Sequence, residues 1–228
     1  MTEMKIIKLD TVVSTQDEIK KYLDEVPPIA VLAAEQTGGR GTKGRAFSSA
    51  KGGVYASFII GFKDIKADKA HLVLERLSLA VIKTLEEFGA EAAVKWPNDI
   101  FVCGKKICGM LIENVFAGGN IEKTVAGIGI NVNNELPDEL KDIAISLKQV
   151  LGRSVDTLEV FDSLCKNIVK DYPEGLYKKY SMVIGKKITV SKGGESYSAV
   201  ATDLTEDGRL VLSDGEILSF EEISLKIQ

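Results

Sequence analysis

The chain is poor in the residues that most enzymes use for covalent or metal chemistry. It has one histidine, His71, one tryptophan, Trp96, and three cysteines, Cys103, Cys108 and Cys165, in 228 residues. A single histidine leaves no Cys/His zinc cluster and no Ser/His triad or Cys/His dyad; His71, at the start of a helix-like segment, reads as a surface residue. The cysteines form no CxxC pair and one is left over from any disulfide, which points to a reducing, cytoplasmic setting. No apolar run approaches the ~20 residues of a membrane-spanning helix, and Met1 to Asp10 lacks the apolar core of a signal peptide. An excess of positive charge is also missing. The net charge is −4 and the pI about 5.3, which argues against a nucleic-acid binder that relies on bulk charge. There is no internal repeat and no low-complexity tract. With 45% hydrophobic and 27% charged residues, the chain is an ordinary globular protein, long enough for one sizeable domain and a small appendage.

Ile6 and Ile7 predict a first strand. Ser14-Thr15 opens a helix to about Leu23, with Ser14 or Thr15 as N-cap and Glu18 as its box partner. Pro27-Pro28 breaks the chain, and Ile29 to Ala34 reads as a buried strand. Val54 to Phe62 reads as another strand. Ala67 to Phe88 is the longest helical pattern, stopped by Gly89. Ile100 to Cys103 and Lys105 to Glu113 form a hairpin, Gly118-Gly119-Asn120 is a turn, and Thr124 to Asn133 carries Gly127 and Gly129 where another group approaches the backbone. Asn131 and Asn133 can read an amide-bearing ring or hold a turn. Ile143 to Leu151 and Thr157 to Tyr172 read as helices, and Pro173 to Tyr180 as a link with helical character. From Gly185 the texture changes to short strands punctuated by Gly193-Gly194, Asp207-Gly208 and Asp214-Gly215, the pattern of a small all-β barrel ending near Ile217 to Phe220.

Two stretches carry chemistry. Lys95-Trp96-Pro97-Asn98-Asp99 lies between two strands, and Pro97 makes it a rigid corner that displays a cation, a ring, an amide and a carboxylate. A lysine fixed there can hold phosphate or carboxylate. The plainer reading is a turn with Trp96 plugging the core. The second stretch, Gly38 to Arg45, has four glycines and three cations in eight residues; the glycines let backbone N–H groups approach an anion and the cations neutralise it. Gly39-x-Gly41-x-x-Gly44 also fits the dinucleotide fingerprint, with Asp64 near the place of its ribose-binding acid, but the following residues read as loop and strand, so the crossover helix is missing. A phosphate-binding P-loop fails because Lys43 precedes Gly44.

With these pieces in place the chain resembles a biotin protein ligase. The resemblance rests on Ser14-Thr15, Gln36-Thr37-Gly38-Gly39-Arg40-Gly41, Gly44-Arg45, the Lys95 to Asp99 string, Lys106-Ile107-Cys108-Gly109 and Gly127-Ile128-Gly129-Ile130-Asn131-Val132-Asn133. It implies an α+β fold: a mixed sheet packed with helices over 1–181, of the class II synthetase-like kind, and an SH3-like β-barrel over 182–228. It implies the type without a DNA-binding domain, since the catalytic motifs begin almost at Met1. The implied reaction joins biotin and ATP to biotinyl-5′-AMP and passes biotin to a lysine of a biotin carboxyl carrier protein, with Mg2+ present and its ligands unassigned. In that scheme Lys95, Arg40 and Arg45 are catalytic, Lys95 bridging the biotin carboxylate and the α-phosphate. Biotin meets Ser14, Thr15, Gln16, Gln36, Arg40, Gly41, Thr42, Lys95, Gly109, Gly127 and Gly129. ATP meets Arg40, Lys43, Arg45, Trp96, Asn98 and Asn131. The basic loop closes over the adenylate and keeps water from it. Relatives are often dimers joined along a sheet edge; nucleic acid and membrane are not implied as partners.

Two positions depart from the pattern. Many relatives have asparagine where Gln16 stands, and arginine where Thr42 stands; the arginine helps to retain the adenylate, so Thr42 is expected to weaken retention. A lipoate ligase shares the architecture but differs in the loop, and a non-enzymatic biotin- or nucleotide-binding module is the remaining alternative.

Overall fold

The computed structural model describes residues 3–62, 65–192, 195–219 and 223–227. Asp64, Gly193-Gly194 and Phe220 lie outside them, as does the side chain of Lys43. The main sheet has seven strands: β1 (Lys5–Val12), β2 (Ile29–Gln36), β3 (Val54–Gly61), β4 (Ala92–Lys95), β5 (Asp99–Val102), β6 (Lys105–Ala117) and β7 (Asn120–Ile130). Their order is β1-β2-β3-β7-β6-β5-β4. β1 and β2 are parallel and the other neighbours antiparallel.

The apolar run of β3 is buried on both faces because both are covered. Helices α2 (His71–Glu87) and α4 (Thr157–Ile168) pack on one face, where Phe58 stacks on Phe161 with ring centroids 6.2 Å apart. On the other face, the short helix α1 (Thr15–Ile19) lies over β2, β3 and β7, and Ile19 closes a second apolar cluster with Ile29, Val31, Ile59 and Val125. Strand alternation therefore divides β3 and β7 between a helix-packed core and a face shared with α1.

The remaining helices are α3 (Leu147–Leu151) and α5 (Leu176–Lys179). After α5 the chain runs along β4: Val94 N–H donates to Tyr180 O (2.8 Å) and Met182 N–H to Val94 O (2.9 Å), which covers that sheet edge. It then enters an antiparallel five-stranded module of β8 (Lys187–Lys192), β9 (Glu195–Leu204), β10 (Leu210–Leu212), β11 (Ile217–Leu218) and β12 (Ile223–Ile227), in the order β11-β10-β9-β8-β12. β9 pairs with β8 over Glu195 to Val200 and with β10 over Ala201 to Leu204. Dividing one strand between two ladders gives the curvature of a small SH3-like barrel.

Several elements differ from the sequence reading. Ser14 occupies the N-cap of α1, but its side chain makes no cap bond, and α1 is a single turn continued by a 3-10 turn at Lys20–Tyr22. The helix expected over 143–151 starts only at Leu147. Ile143 and Ile145 instead bond to both sides of Lys106, and Ser146 forms the capping box with Gln149. α4 ends at Ile168 rather than Tyr172. β12 was not anticipated.

Candidate active site

A narrow groove opens on the sheet face beside α1. Its floor follows from register. Tyr55, Gly129 and Gly109 lie in one row across β3, β7 and β6, and Ser57, Gly127 and Leu111 in the next. Residues opposite one another in antiparallel strands share a face, so the three glycines remove side chains from adjoining positions and leave a slot. Phe47 and Gln16 enter it. A Cβ at Gly129 would come within 2.5 Å of the Phe47 ring, and one at Gly127 within 2.5 Å of Gln16 Oε1. Phe47 also meets Tyr55 edge-on, at 6.4 Å between centroids.

The wall is a hydrogen-bonded chain. Thr15 donates to Gln36 Oε1 through its backbone N–H (2.8 Å) and through Oγ1 (3.1 Å). Gln36 Nε2 donates to Ser49 Oγ (2.9 Å), which donates to Phe47 O (2.9 Å). Ser57 Oγ donates to Thr15 Oγ1 at 2.9 Å and lies 3.2 Å from Gln16 Oε1. Ser14, Thr15 and Gln16 are all buried. Among the described residues one buried side-chain polar atom has no hydrogen-bond partner, and it is Gln16 Nε2. An orphan donor of this kind costs about 1–3 kcal/mol, and a ligand acceptor in the slot relieves that cost.

The charged end of the groove is built by Lys106. Its Nζ pairs with Asp99 Oδ1 at 2.6 Å and stands so close over Gly109 that a Cβ there would lie 3.2 Å from it. An ammonium has three donors, so Lys106 can keep Asp99 and still meet an anion in the slot. Lys95 shares this face, since Lys95 faces Asp99 and Phe101 faces Lys106 in the ladders. Its Nζ lies over the Phe101 ring, 5.5 Å from the centroid; neither lysine is among the groove-lining residues, and Lys106 is the one that stands beside Gly109. The amine beside the groove-lining Gly109 is thus that of Lys106.

Arg40 and Gly41 reach the groove rim. The loop around them is a small hairpin, with Arg40 bridged to Ala46, Phe47 N–H donating to Gly39 O (2.9 Å) and a 3-10 turn at Thr42–Gly44. It opens no helix, which removes the dinucleotide reading. Arg40 pairs with Asp17, both half-exposed, and Arg45 Nε donates to Thr42 O at 3.4 Å. Thr42 and Arg45 lie outside the groove lining.

The remaining expected ATP contacts hold the corner and the turn after β7. Trp96 is buried and its Nε1–H donates to Gly208 O (3.0 Å). Asn98 Nδ2 donates to Met110 O (3.0 Å). Asn131 is buried, and its Oδ1 accepts from Asn134 Nδ2 (3.1 Å). Asn133 braces a turn, exchanging hydrogen bonds with the backbone of Val155. Cys108, on the core side of β6, is fully buried and its thiol is pushed up by that burial, so it supplies no nucleophile to the groove. Among the described residues no group of three or more His, Cys, Asp or Glu side chains could hold a metal. The positive charge seen here is that of lysines and arginines.

Sequence reasoning brought together the Ser14–Gln16 segment, Gln36, Arg40, Gly41 and the three glycines. It missed Phe47, Ser57 and Lys106. The signal for Ser57 was its place as the one serine in an apolar strand; the signal for Lys106 was its presence in the same short motif as Gly109.

Residues 10–131 match the sequence profile of the Biotin/lipoate A/B protein ligase family, and the chain belongs to that family. It is 32% identical over 228 positions to the bifunctional ligase/repressor BirA of Bacillus subtilis, with 92% of this chain and 70% of that protein covered. It is 25% identical over 206 positions to a biotin–[acetyl-CoA-carboxylase] ligase of Mycobacterium tuberculosis, covering 84% of this chain and 75% of the relative. In structure it is similar to the biotin protein ligase of Aquifex aeolicus solved with biotin and ATP: TM-score 0.77, 29% identity, 98% of this chain and 99% of the other.

Proposed function

We propose that the chain is a biotin protein ligase that activates biotin with ATP to biotinyl-5′-AMP and transfers biotin to a lysine of a biotin carboxyl carrier protein. The observation that carries this reading is the slot itself. It offers a buried unpaired amide donor, Gln16 Nε2, at one end and an ammonium, Lys106 Nζ, over Gly109 at the other. Biotin has the complementary ends, an uncharged ureido carbonyl and a carboxylate.

Activation requires the carboxylate oxygen to attack the α-phosphorus of ATP while pyrophosphate leaves. Two anions must meet, so fixed positive charge and positioning supply most of the acceleration. Lys106 holds the carboxylate end. Lys95, on the same face, and Arg40 and Arg45, with Lys43 in the same loop, meet the phosphates. Thr42 flanks the adenylate, and Asn131 turns its amide nitrogen to the adenine. In the second step the carrier lysine's neutral amine attacks the acyl carbon, AMP leaves with the former carboxylate oxygen, and the amine's proton is lost. The reading includes a catalytic domain over 1–181 and a barrel over 182–228, supported by the change of sheet after α5. It also includes a homodimer joined along a sheet edge, a cytoplasmic location and no nucleic-acid partner. No helix among the described residues is long and apolar enough to cross a membrane.

The test is pyrophosphate release that needs both ATP and biotin, followed by labelling of a purified carrier domain. Release with lipoate in place of biotin would assign the other branch of the family, and release with neither would leave a binding module.

A further inference from the structure

The 95–99 corner is held from three sides. Asn98 ties it to β6, as described above. Tyr177 of α5 is buried, and its O–H donates to Pro97 O at 2.6 Å. The third tether crosses from the small module: the indole N–H of Trp96 donates to the carbonyl of Gly208, 3.0 Å away. Gly208 lies in the tight turn between β9 and β10. That turn is braced internally, with Thr205 N–H donating to Arg209 O (2.9 Å) and Gly208 N–H to Thr205 O (3.0 Å). The Asp207 carboxylate accepts from Thr205 Oγ1 and from Arg209 Nε, and its pKa is held down by those partners.

The turn is wedged as well as bonded. Gly208 has φ +77, and a Cβ there would lie 2.8 Å from His71 Cβ at the start of α2. The turn tip therefore sits between His71 and Trp96 with no room for a side chain. Lys178, next to Tyr177 on α5, pairs with Asp203 of β9 and binds the same strand to the same neighbourhood.

We infer that the β9–β10 turn of the C-terminal module, through Gly208 and Trp96, is a positioning element for the adenylation step. The corner ends in Asp99, the partner of Lys106, and carries Lys95 on the same face. Releasing Trp96 lets the corner shift, and displacements of about 1 Å at such a distance from the reacting atoms lower rates on the order of 100-fold. The Gln16 end of the biotin slot is fixed by α1, β3 and β7 and does not depend on this turn; only the Lys106 end adjoins the corner. The inference rests on the adenylating activity proposed above.

Gly208→Ala tests it, and Trp96 is the single tryptophan, so its fluorescence reports the tether directly. The expected result is a red-shifted, more readily quenched emission, a kcat for pyrophosphate release lowered by about tenfold or more, and a KM for biotin that changes by a much smaller factor than kcat. Asp207→Ala, which loosens the turn without placing a side chain against His71, should act in the same direction more weakly and serves if Gly208→Ala does not fold. Emission unchanged, or emission shifted with wild-type kcat, overturns the inference. So does a KM for biotin that rises in step with the fall in kcat, since that is general loosening. A wild-type chain that releases no pyrophosphate refutes the proposed function instead, and is thereby distinguished.

Discussion

The two ends of the groove are built by different means. At the slot end, Thr15, Gln36, Ser49 and Ser57 satisfy one another in a closed hydrogen-bonded chain, and three glycines on adjoining strands set its width. At the loop end, Arg40 is half-exposed and paired with a half-exposed Asp17, a kind of ion pair that contributes little, about 0–1 kcal/mol. The slot is complete without a ligand except for one amide. The loop is held by a few backbone hydrogen bonds of a small hairpin and by exposed charges. Recognition of an uncharged ring needs a fixed shape, because the contacts are short and numerous. Neutralisation of phosphates needs charge that arrives with the ligand and can leave with it.

Substitutions at the slot end should then act on biotin, and substitutions in the loop on the adenylate. The largest effect is expected for Gly129→Val, which puts a branched side chain where Phe47 now rests: biotin binding by calorimetry should vanish while the circular dichroism spectrum is retained. Gln16→Leu should separate stability from function. It removes the orphan donor, so thermal unfolding should show a gain of about 1 kcal/mol, while KM for biotin rises about tenfold. A gain in stability with KM for biotin unchanged would show that the slot does not use this amide. Thr42→Arg adds a cation beside Arg40 and Arg45, and should slow release of the adenylate by about tenfold, the effect of one charge-assisted hydrogen bond; an unchanged release rate would mean the loop does not govern retention.

The smallest effect lies outside both regions and serves as a control. Burial, and then the charge of Glu174, push the Glu75 carboxyl up to about 7. The folded chain holds that proton more tightly than the unfolded chain, so its stabilising contribution is complete below about 4.5 and is lost as pH rises through about 7. Because the group is partly exposed, the effect is discounted for solvent screening. Glu75→Gln should raise Tm by about 2–4 °C at pH 8 and leave it unchanged at pH 4, with KM for biotin unaltered at either pH.

The fold class and most of the slot were legible because they depend on local pattern. A short apolar run placed β3, glycine spacing marked β7, and the Ser14–Thr15 hydroxyls marked the start of α1. What was not legible depends on register. Lys95 and Lys106 both flank turns of the same hairpin region, and only the pairing of Phe101 with Lys106 and the turn of Lys95 towards Phe101 decide which amine reaches Gly109. Phe47 read as loop because its partners, Gly109 and Gly129, are far away in sequence. The missing helical turn before Leu147 has the same origin, since Ile143 and Ile145 are claimed by a long-range pairing with Lys106. Trp96 read as a core plug and is one, but its hydrogen bond runs to a turn 112 residues later.

Lys106 is the ammonium proposed for the carboxylate end of the slot, and this role decides the rest. It is tested most directly by measuring biotin-dependent pyrophosphate release for Lys106→Ala and Lys95→Ala side by side with wild type. The expected loss is about 100- to 1,000-fold for Lys106→Ala, the scale of removing one preorganised charge-stabilising group, and smaller for Lys95→Ala. Near-wild-type release by Lys106→Ala, with Lys95→Ala inactive, would contradict it.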